Sequence, residues 1–270
     1  MLRPRSAPRG PRRRRRGGSS VAAVLVGGLA VLLILGAVGG YAYMRLNQPT
    51  YDVATMCPTS GPSEVQALLI DRSDPISPLQ TQRLEQILHQ LIDAGPVNER
   101  IDLYILTANS LQSEKPVVSL CRPPSGGNYL TQNPAHIHAV YVARFVDPIE
   151  HALAALTVPS EMPDSPIMES IKAACIAAFG GLPHGTPTGL TVVSDMIQNS
   201  PVLDQYRPYN DSFFHTAGMS DVTADCHQAK VQILYLLRPH DARIQTRDHE
   251  LFWEQFFDHM NAAVERIEPI

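Results

Sequence analysis

The segment Val65-Gln-Ala-Leu-Leu-Ile-Asp71 is an apolar run of strand length that ends in an aspartate. A run of this kind, bounded by turn residues, predicts a central strand of a parallel sheet that helices cover on both faces. A polar loop follows. Residues 78–94 then carry apolar side chains at helical spacing, with Ser77 as the cap and Pro78 at the first helical position. The folded part of the chain is therefore predicted to begin with a strand, a loop and a helix.

The same strand and helix patterns recur along the rest of the chain. Strands are predicted at residues 101–107, 116–121, 190–195 and 231–237, and helices at residues 134–156, 165–179 and about 248–267. Because each parallel crossover needs a helix to return the chain, this alternation predicts a doubly wound α/β sandwich with a mostly parallel sheet.

A membrane anchor is predicted before this domain. Residues 1–20 contain eight arginines and no acidic residue, and residues 21–44 form an uncharged run. As a helix that run would extend about 36 Å, enough to cross a hydrocarbon core of about 30 Å. Basic residues that flank a span stay on the cytoplasmic side. We therefore expect a cytoplasmic N-terminus and a C-terminal domain beyond the cell (inner) membrane, in the periplasm.

The predicted organisation is a single-pass protein with four parts: a cytoplasmic tail at residues 1–20, a transmembrane helix at 21–44, a linker at 45–63 and an extracytoplasmic domain at 64–270. Cleavage of the apolar run as a secretory signal near Gly39 and Gly40 is the alternative to a permanent anchor. The arginines have a second interpretation, a patch for anionic lipid or nucleic acid, which is compatible with the first.

The outer part of the chain is strongly acidic. Eight of the 22 basic residues precede the span, which leaves 14 against all 26 acidic residues, a formal charge of −12. A nucleic-acid-binding domain needs a positive surface, so nucleic acid is not an expected partner of this domain.

All four cysteines follow the span, in a compartment where pairing is favoured. Four cysteines permit three connectivities. A disulfide between Cys57 and Cys121 is predicted because both lie in proline-rich loop segments, and four free thiols are the alternative. Cys175 lies among small apolar residues and is first interpreted as a core side chain.

Two predicted strands end in aspartate, Asp71 and Asp195. In a doubly wound sheet, ligands bind outside the carboxyl ends of the strands. If the two strands are neighbours, these carboxylates converge with the hydroxyls of Ser73 and Ser165. Carboxylate and hydroxyl oxygens are hard ligands that suit Mg²⁺ or Ca²⁺.

These residues resemble the metal-ion-dependent adhesion motif of the von Willebrand factor A family, over about residues 65–267. The resemblance implies a doubly wound α/β sandwich that binds a protein partner. In that family a D-x-S-x-S loop after the first strand, a Thr opening a later helix and an Asp after the fourth strand hold a divalent metal, which a partner's carboxylate completes. Asp71 and Ser73 match the loop, Ser165 replaces the Thr, and Asp195 matches the last Asp.

One position departs from the family motif. Pro75 stands where the second loop serine is expected, so one metal ligand is missing unless Asp74 or Ser77 supplies it. The alternative is a loop that keeps its geometry without binding metal, with Asp71 and Asp195 capping nearby backbone donors.

The segment from residue 198 to 222 is long for a connection inside a compact domain, and it follows the second aspartate strand. It is the predicted partner-binding surface, through its aromatic side chains Tyr206, Tyr209, Phe213 and Phe214. Other side chains have structural interpretations. His136 and His138 are predicted to face solvent, and the aromatic side chains of the last helix are predicted to pack in the core: Phe252, Trp253, Phe256 and Phe257.

Three functions are compatible with these patterns. The first is a membrane-anchored module that binds another envelope protein, and it fits a sequence without a G-x-S-x-G elbow, a phosphate-binding glycine loop or an H-E-x-x-H helix. The second is a metal-dependent hydrolase using Asp71 and Asp195. The third is a structural component of an envelope-spanning assembly. The first is the preferred hypothesis, and the protein is not expected to be an enzyme.

Overall fold

A computed structural model describes these parts of the chain: residues 20–47, 49–106, 115–127, 132–156 and 164–270. The chain divides into two compact units, with the boundary between Pro49 and Thr50. The described part of the first unit is helix α1 (Ser20–Leu46). Its segment Ala23–Leu46 has a mean hydropathy of 2.4 and is, among the described residues, the one helix that is long and apolar enough to cross a membrane.

The second unit is built on six strands: β1 (Glu64–Ile70), β2 (Glu99–Ile105), β3 (Val118–Cys121), β4 (Thr188–Ser194), β5 (Ala229–Tyr235) and β6 (Ala262–Pro269). They form one sheet in the order β3-β2-β1-β4-β5-β6. Every neighbouring pair is parallel except β2 and β3, which are antiparallel. The predicted doubly wound, mostly parallel sheet is confirmed.

The order of the strands reverses at β1. The chain passes from β1 to β2 on one side, and then returns to place β4 on the other side of β1. This is a topological switch point, where the loops after two neighbouring strands separate and leave a crevice at the carboxyl edge of the sheet. Leu68 of β1 lies opposite Thr191 of β4 in the parallel register, so the two strands end side by side.

Helices cover both faces of the sheet: α2 (Pro78–Ala94), α3 (Pro134–Tyr141), α4 (Asp147–Leu156), α5 (Ile167–Phe179), α6 (Ala217–Val222) and α7 (Arg247–His259). The side chains of β1 alternate between the two layers. Leu68 and Ile70 pack in one cluster with residues of α2, whereas Ala67 and Leu69 pack in another with residues of α5 and α7. Burial on both faces explains why residues 67–70 of β1 are all apolar.

The predicted helix at residues 134–156 forms with an irregularity. A π-helical segment (Val142–Val146) joins α3 to α4. Tyr141, Phe145 and Ile149 are buried along it, as the apolar stripe in the sequence predicts. Helix α2 also begins as predicted, because the Ser77 hydroxyl accepts a hydrogen bond from the Gln80 amide in a capping box.

The predicted last helix at about residues 248–267 is wrong in its second half. Helix α7 ends at His259, and Ala262–Pro269 forms strand β6, which pairs with β5. Asn261 adopts a left-handed backbone with φ of 52°, which ends the helix. The segment after it is stabilised by the open edge of β5, a tertiary effect that overrides local helical spacing.

Both pairs of cysteines form disulfides. Cys57 is bonded to Cys121, as predicted, and Cys175 is bonded to Cys226. The alternative of four free thiols is therefore wrong. Cys175 is also fully buried, which confirms its interpretation as a core side chain.

Candidate site at the carboxyl edge of the sheet

The two strand-end aspartates lie at the same edge of the sheet. Asp71 directly follows β1 and Asp195 directly follows β4, and both side chains are buried, with 4% and 3% exposure. The Asp71 backbone amide donates to the carbonyl of Val193, which continues the pairing of the two strands to their ends. The structure therefore brings together the two carboxylates that the sequence singles out.

Three serine hydroxyls surround the Asp71 carboxylate. Ser73 donates to Oδ1 from its hydroxyl at 2.7 Å and from its backbone amide at 2.9 Å. The hydroxyl of Ser194 donates to Oδ2 at 2.7 Å, and that of Ser165 donates to the same oxygen at 3.4 Å. Ser73 and Ser165 are the hydroxyls predicted to join the aspartates. Ser194, the last residue of β4, was not predicted as a contact of Asp71.

Arg238 is the main feature of the site that the sequence analysis missed. Its Nε donates to Asp195 Oδ2 at 3.1 Å, and its Nη1 donates to the backbone carbonyl of Pro75. The residue is 8% exposed. It lies in the loop after β5, the neighbour of β4, and its place after a predicted strand was the available clue.

Gln245 fixes the backbone around this ion pair. Its side-chain oxygen accepts from the Arg238 amide at 2.7 Å. Its side-chain nitrogen donates to the carbonyl of Asp195 at 3.0 Å and to that of Leu236 at 2.9 Å. The ends of β4 and β5 are thus held by one amide side chain.

Burial raises the pKa of the Asp195 carboxyl, and the negative charge of Asp71 raises it further. The backbone amide of Ile197, which donates to Asp195 Oδ1 at 3.0 Å, opposes the rise, as does Arg238. A second positive charge would have to compete with the guanidinium for the same oxygens.

The residues present do not fit a bound Mg²⁺ or Ca²⁺ in this arrangement. Among the described residues, no group of three or more His, Cys, Asp or Glu side chains is placed to hold a metal ion. Of the two substitutes considered for Pro75, Ser77 caps α2 and Asp74 is exposed to solvent. Coordination of a cation by Asp71, Ser73, Ser165 and Asp195 stays a prediction from the resemblance.

The predicted partner-binding aromatic residues fall into two groups. Tyr206 is 46% exposed, and Tyr209 is half-buried with its ring edge-on to Phe252 at 5.2 Å. Phe213 and Phe214 are buried in the core, with ring centroids 6.1 and 4.8 Å from that of Phe252. Partner contact is therefore a proposal for Tyr206 and Tyr209, whereas Phe213 and Phe214 anchor the segment to α7.

Tyr206 lies close to the acidic residues of the site. Burial raises the pKa of its hydroxyl to about 12, and the carboxylates of Asp241, Asp195 and Asp74 contribute to the rise. A surface depression of about 420 Å³ adjoins it, lined in part by Tyr209 and Arg243. The exposed border of the buried ion pair is thus an aromatic and charged surface.

The remaining structural predictions hold. His136 and His138 are exposed. The aromatic residues of α7 are buried, as predicted: Phe252, Trp253, Phe256 and Phe257. The long segment after β4 is tied to the core, since Ser165 and Asn199 exchange two backbone hydrogen bonds.

The fold and the site define a doubly wound α/β domain with two buried carboxylates at its switch point and an arginine paired with one of them. No family model matches the sequence, and no curated protein matches it. Similar solved structures exist at low identity. One is the SpRpn10 VWA domain, with 13% identity and a TM-score of 0.38 over 77% of this chain and 87% of that one.

Two further similar structures come from Bacteroides. The conserved hypothetical protein BatB from Bacteroides thetaiotaomicron is 12% identical, with a TM-score of 0.34 over 66% of this chain and 68% of that one. An aerotolerance-related membrane protein from Bacteroides fragilis NCTC 9343, solved with multiple mutations to serines, is 10% identical. The match has a TM-score of 0.36 and covers 77% of this chain and 91% of that one. The similar structures thus include a von Willebrand factor A domain, the family that the strand-end residues resemble. At these identities and TM-scores they carry no argument about function.

Proposed function

We propose that the chain is a single-pass membrane protein whose Thr50–Ile270 unit binds a protein partner of the cell envelope, as part of an envelope-spanning assembly. The contact surface is the carboxyl edge of the sheet. The observation that carries the proposal is the buried, hydrogen-bonded cluster of Asp71, Asp195 and Arg238, which ties together the loops after three strands beneath an exposed border. Rigid strand ends that present loops are a common scaffold for binding sites.

The exposed border has the chemistry of a protein interface. Tyr206 offers an aromatic ring and a hydroxyl, and tyrosine is enriched where protein interfaces carry most of their binding energy. Arg243 and Arg207 add exposed guanidinium groups to the depression beside it, and Asp211 adds an exposed carboxylate. A partner segment with an acidic side chain next to an apolar one would match this surface.

The anchor and its orientation complete the proposal. Helix α1 is long and apolar enough to span a membrane. The eight arginines before it favour a cytoplasmic N-terminus, which places the acidic domain in the periplasm. Two disulfides in the domain support an oxidising compartment.

The hydrolase alternative has no comparable support. Asp71 and Asp195 are both buried, and their oxygens accept hydrogen bonds from serine hydroxyls, backbone amides and Arg238. Neither aspartate lines the depression beside Tyr206.

Photo-crosslinking in native membranes tests the proposal. Tyr206 is replaced by p-benzoylphenylalanine, and the matched control carries the same group at His138, an exposed position on α3. We expect specific protein adducts from position 206 and not from position 138. Adding Arg243→Glu should reduce the adducts from position 206 at least tenfold. Identical adducts from both positions, or none from 206 in cells that express the chain normally, would rule out this edge as the contact surface.

A further inference from the structure

We propose that the guanidinium of Arg238 is the built-in cation of this site. Its contacts bridge the loop after β1 and the loop after β4, so the domain keeps its strand-end geometry without metal. Removing the side chain converts the position into a divalent-cation site. The inference concerns the domain alone and does not rest on the proposed partner.

The contacts of Arg238 bridge the two loops from which metal ligands would come. On one side its Nε contacts Asp195 Oδ2 at 3.1 Å, in the loop after β4. On the other its Nη1 contacts the carbonyl of Pro75, in the loop after β1. Both acceptors are oxygen atoms, the atom type that Mg²⁺, Mn²⁺ and Ca²⁺ prefer. The arginine therefore joins the same two segments through the same class of atom as a metal ion would.

Charge explains why a cation is needed at this position. Asp71 and Asp195 are both buried, and they follow the ends of neighbouring strands. A buried charge that has no partner is strongly unfavourable. Hydroxyls satisfy Asp71 by hydrogen bonding, whereas Asp195 receives the positive charge of Arg238.

The arginine is held in place by the fold. Gln245 accepts a hydrogen bond from the Arg238 amide and donates to the carbonyl of Asp195. The Arg238 backbone is therefore tied to the Asp195 backbone independently of the ion pair.

The proline at position 75 fits the same explanation. Proline supplies no side-chain oxygen, so the loop after β1 lacks one hydroxyl ligand of the motif that it resembles. Its free carbonyl oxygen instead accepts a hydrogen bond from Arg238. The residue that lacks the ligand hydroxyl is thus also the residue whose carbonyl binds the guanidinium of Arg238.

Metal titration of the full chain in lipid nanodiscs tests the proposal. Free Mn²⁺ is measured by electron paramagnetic resonance at pH 8. The variants are Arg238→Ser and the matched control Arg243→Ser, an exposed arginine in the following loop. We expect Arg238→Ser to bind one Mn²⁺ per chain at least tenfold more tightly than either the unmodified chain or Arg243→Ser. The double variant Arg238→Ser with Asp195→Asn should lose that binding.

Thermal unfolding supplies a second measurement. The unmodified chain should unfold at the same temperature in EDTA and in Mn²⁺, whereas Arg238→Ser should unfold at a lower temperature in EDTA and regain stability with Mn²⁺. Arg238→Lys keeps the charge and should remain insensitive to metal.

Three results would overturn the proposal. The first is stoichiometric Mn²⁺ binding by the unmodified chain that Asp195→Asn removes. The second is a folded Arg238→Ser variant that binds no more Mn²⁺ than Arg243→Ser. The third is an Arg238→Ser variant that stays unfolded at saturating Mn²⁺, because an emptied cation position should be refilled by the metal.

Discussion

Charged side chains inside the Thr50–Ile270 unit are held in pairs. Besides Arg238 and Asp195, the structure buries Arg122 with Glu99, and Arg100 lies against the buried Asp102 with an Nη2–Oδ2 distance of 2.9 Å. Arg122 also donates to the carbonyl of Leu91 and lies over the ring of Phe145, 5.0 Å from its centroid. Glu99, Asp102 and Asp195 therefore each have an arginine partner, which makes each pair sensitive to the loss of one member.

Removing Arg122 alone should destabilise the domain more than removing the whole pair. Arg122→Met leaves the Glu99 carboxylate buried without its partner, and burial already raises the pKa of that carboxyl. We expect a loss of about 3–5 kcal/mol in the free energy of unfolding. The double variant Arg122→Met with Glu99→Gln should recover at least half of it. Urea unfolding followed by tryptophan fluorescence measures both.

A surface pair provides the control for that experiment. Arg83 contacts Glu268 at 2.8 Å, but its side chain is 49% exposed. Arg83→Met should therefore change stability by less than about 1 kcal/mol. If Arg122→Met and Arg83→Met lowered the free energy of unfolding equally, burial of the charged pair would not determine the loss of stability.

Stability should fall in acid through His249. Its Nδ1 lies 2.6 Å from the Tyr235 hydroxyl, and its Nε2 lies 3.1 Å from the side-chain oxygen of Gln205. Burial lowers its pKa from 6.5 to about 4. Below pH 6.5 the His249 imidazole binds a proton in the unfolded chain, whereas in the folded chain it stays neutral down to about pH 4. The stabilisation is thus fully present above pH 6.5, decreases as the pH falls and is lost near pH 4, in total roughly 3 kcal/mol.

The variant His249→Gln isolates this contribution. Its free energy of unfolding should depend less on pH between 4 and 6.5 than that of the unmodified chain, measured by denaturant titration at half-unit intervals. The exposed control His136→Gln should leave the slope unchanged. A slope that is the same in all three proteins would mean that the pKa of His249 is the same in the folded and unfolded chains.

At the scale of elements, the end of α7 depends on one residue. Asn261 has φ of 52°, and its side-chain nitrogen donates to Asp225 Oδ1 at 3.0 Å. A β-branched side chain is strained in this conformation. Asn261→Val should lower the free energy of unfolding by about 1–2 kcal/mol, whereas Asn261→Gly should lower it by less, because glycine adopts positive φ freely. Thermal unfolding of the two variants gives the comparison, and equal losses would contradict the role of the backbone conformation.

The elements differ in how well the sequence predicts them. β1 and α2 are predicted because one carries an apolar run buried on both faces and the other a complete capping box. Strand β6 is not predicted, because Ala262–Pro269 has no strand pattern of its own and becomes a strand by pairing with β5. The residue pattern of a segment predicts elements that are stabilised by their own residues. It fails where pairing with the edge of a neighbouring strand determines the structure.

The same limit applies to the site. Asp71 and Asp195 could be predicted because each ends an apolar strand, and the neighbouring positions of β1 and β4 bring them together. The pairing of Arg238 with Asp195 joins residues that are 43 positions apart and depends on β5 lying next to β4. It could be recognised only once the order of the strands was known.

At the scale of the whole molecule, charge is divided between the two ends of the chain. The eight arginines of residues 1–20 contrast with a formal charge of −12 after the span, and helix α1 lies between these regions. This separation fixes the orientation in our proposal, since the basic segment resists translocation. The four cysteines are already joined in two disulfides, so an added cysteine is the only thiol available for labelling.

Cysteine labelling of intact cells with a permeabilised outer membrane tests the orientation. A membrane-impermeant maleimide should label His136→Cys, an exposed position of the domain, before lysis, and should label Ser6→Cys only after lysis. Replacing the five arginines at residues 12–16 by glutamine should increase labelling of Ser6→Cys before lysis, because the retention signal is weakened. Labelling of Ser6→Cys before lysis in the unmodified background would reverse the proposed topology. A mature protein whose mass lacks the residues before Gly40 would instead show that the apolar run is cleaved as a secretory signal, and the domain would then reach its partner without an anchor.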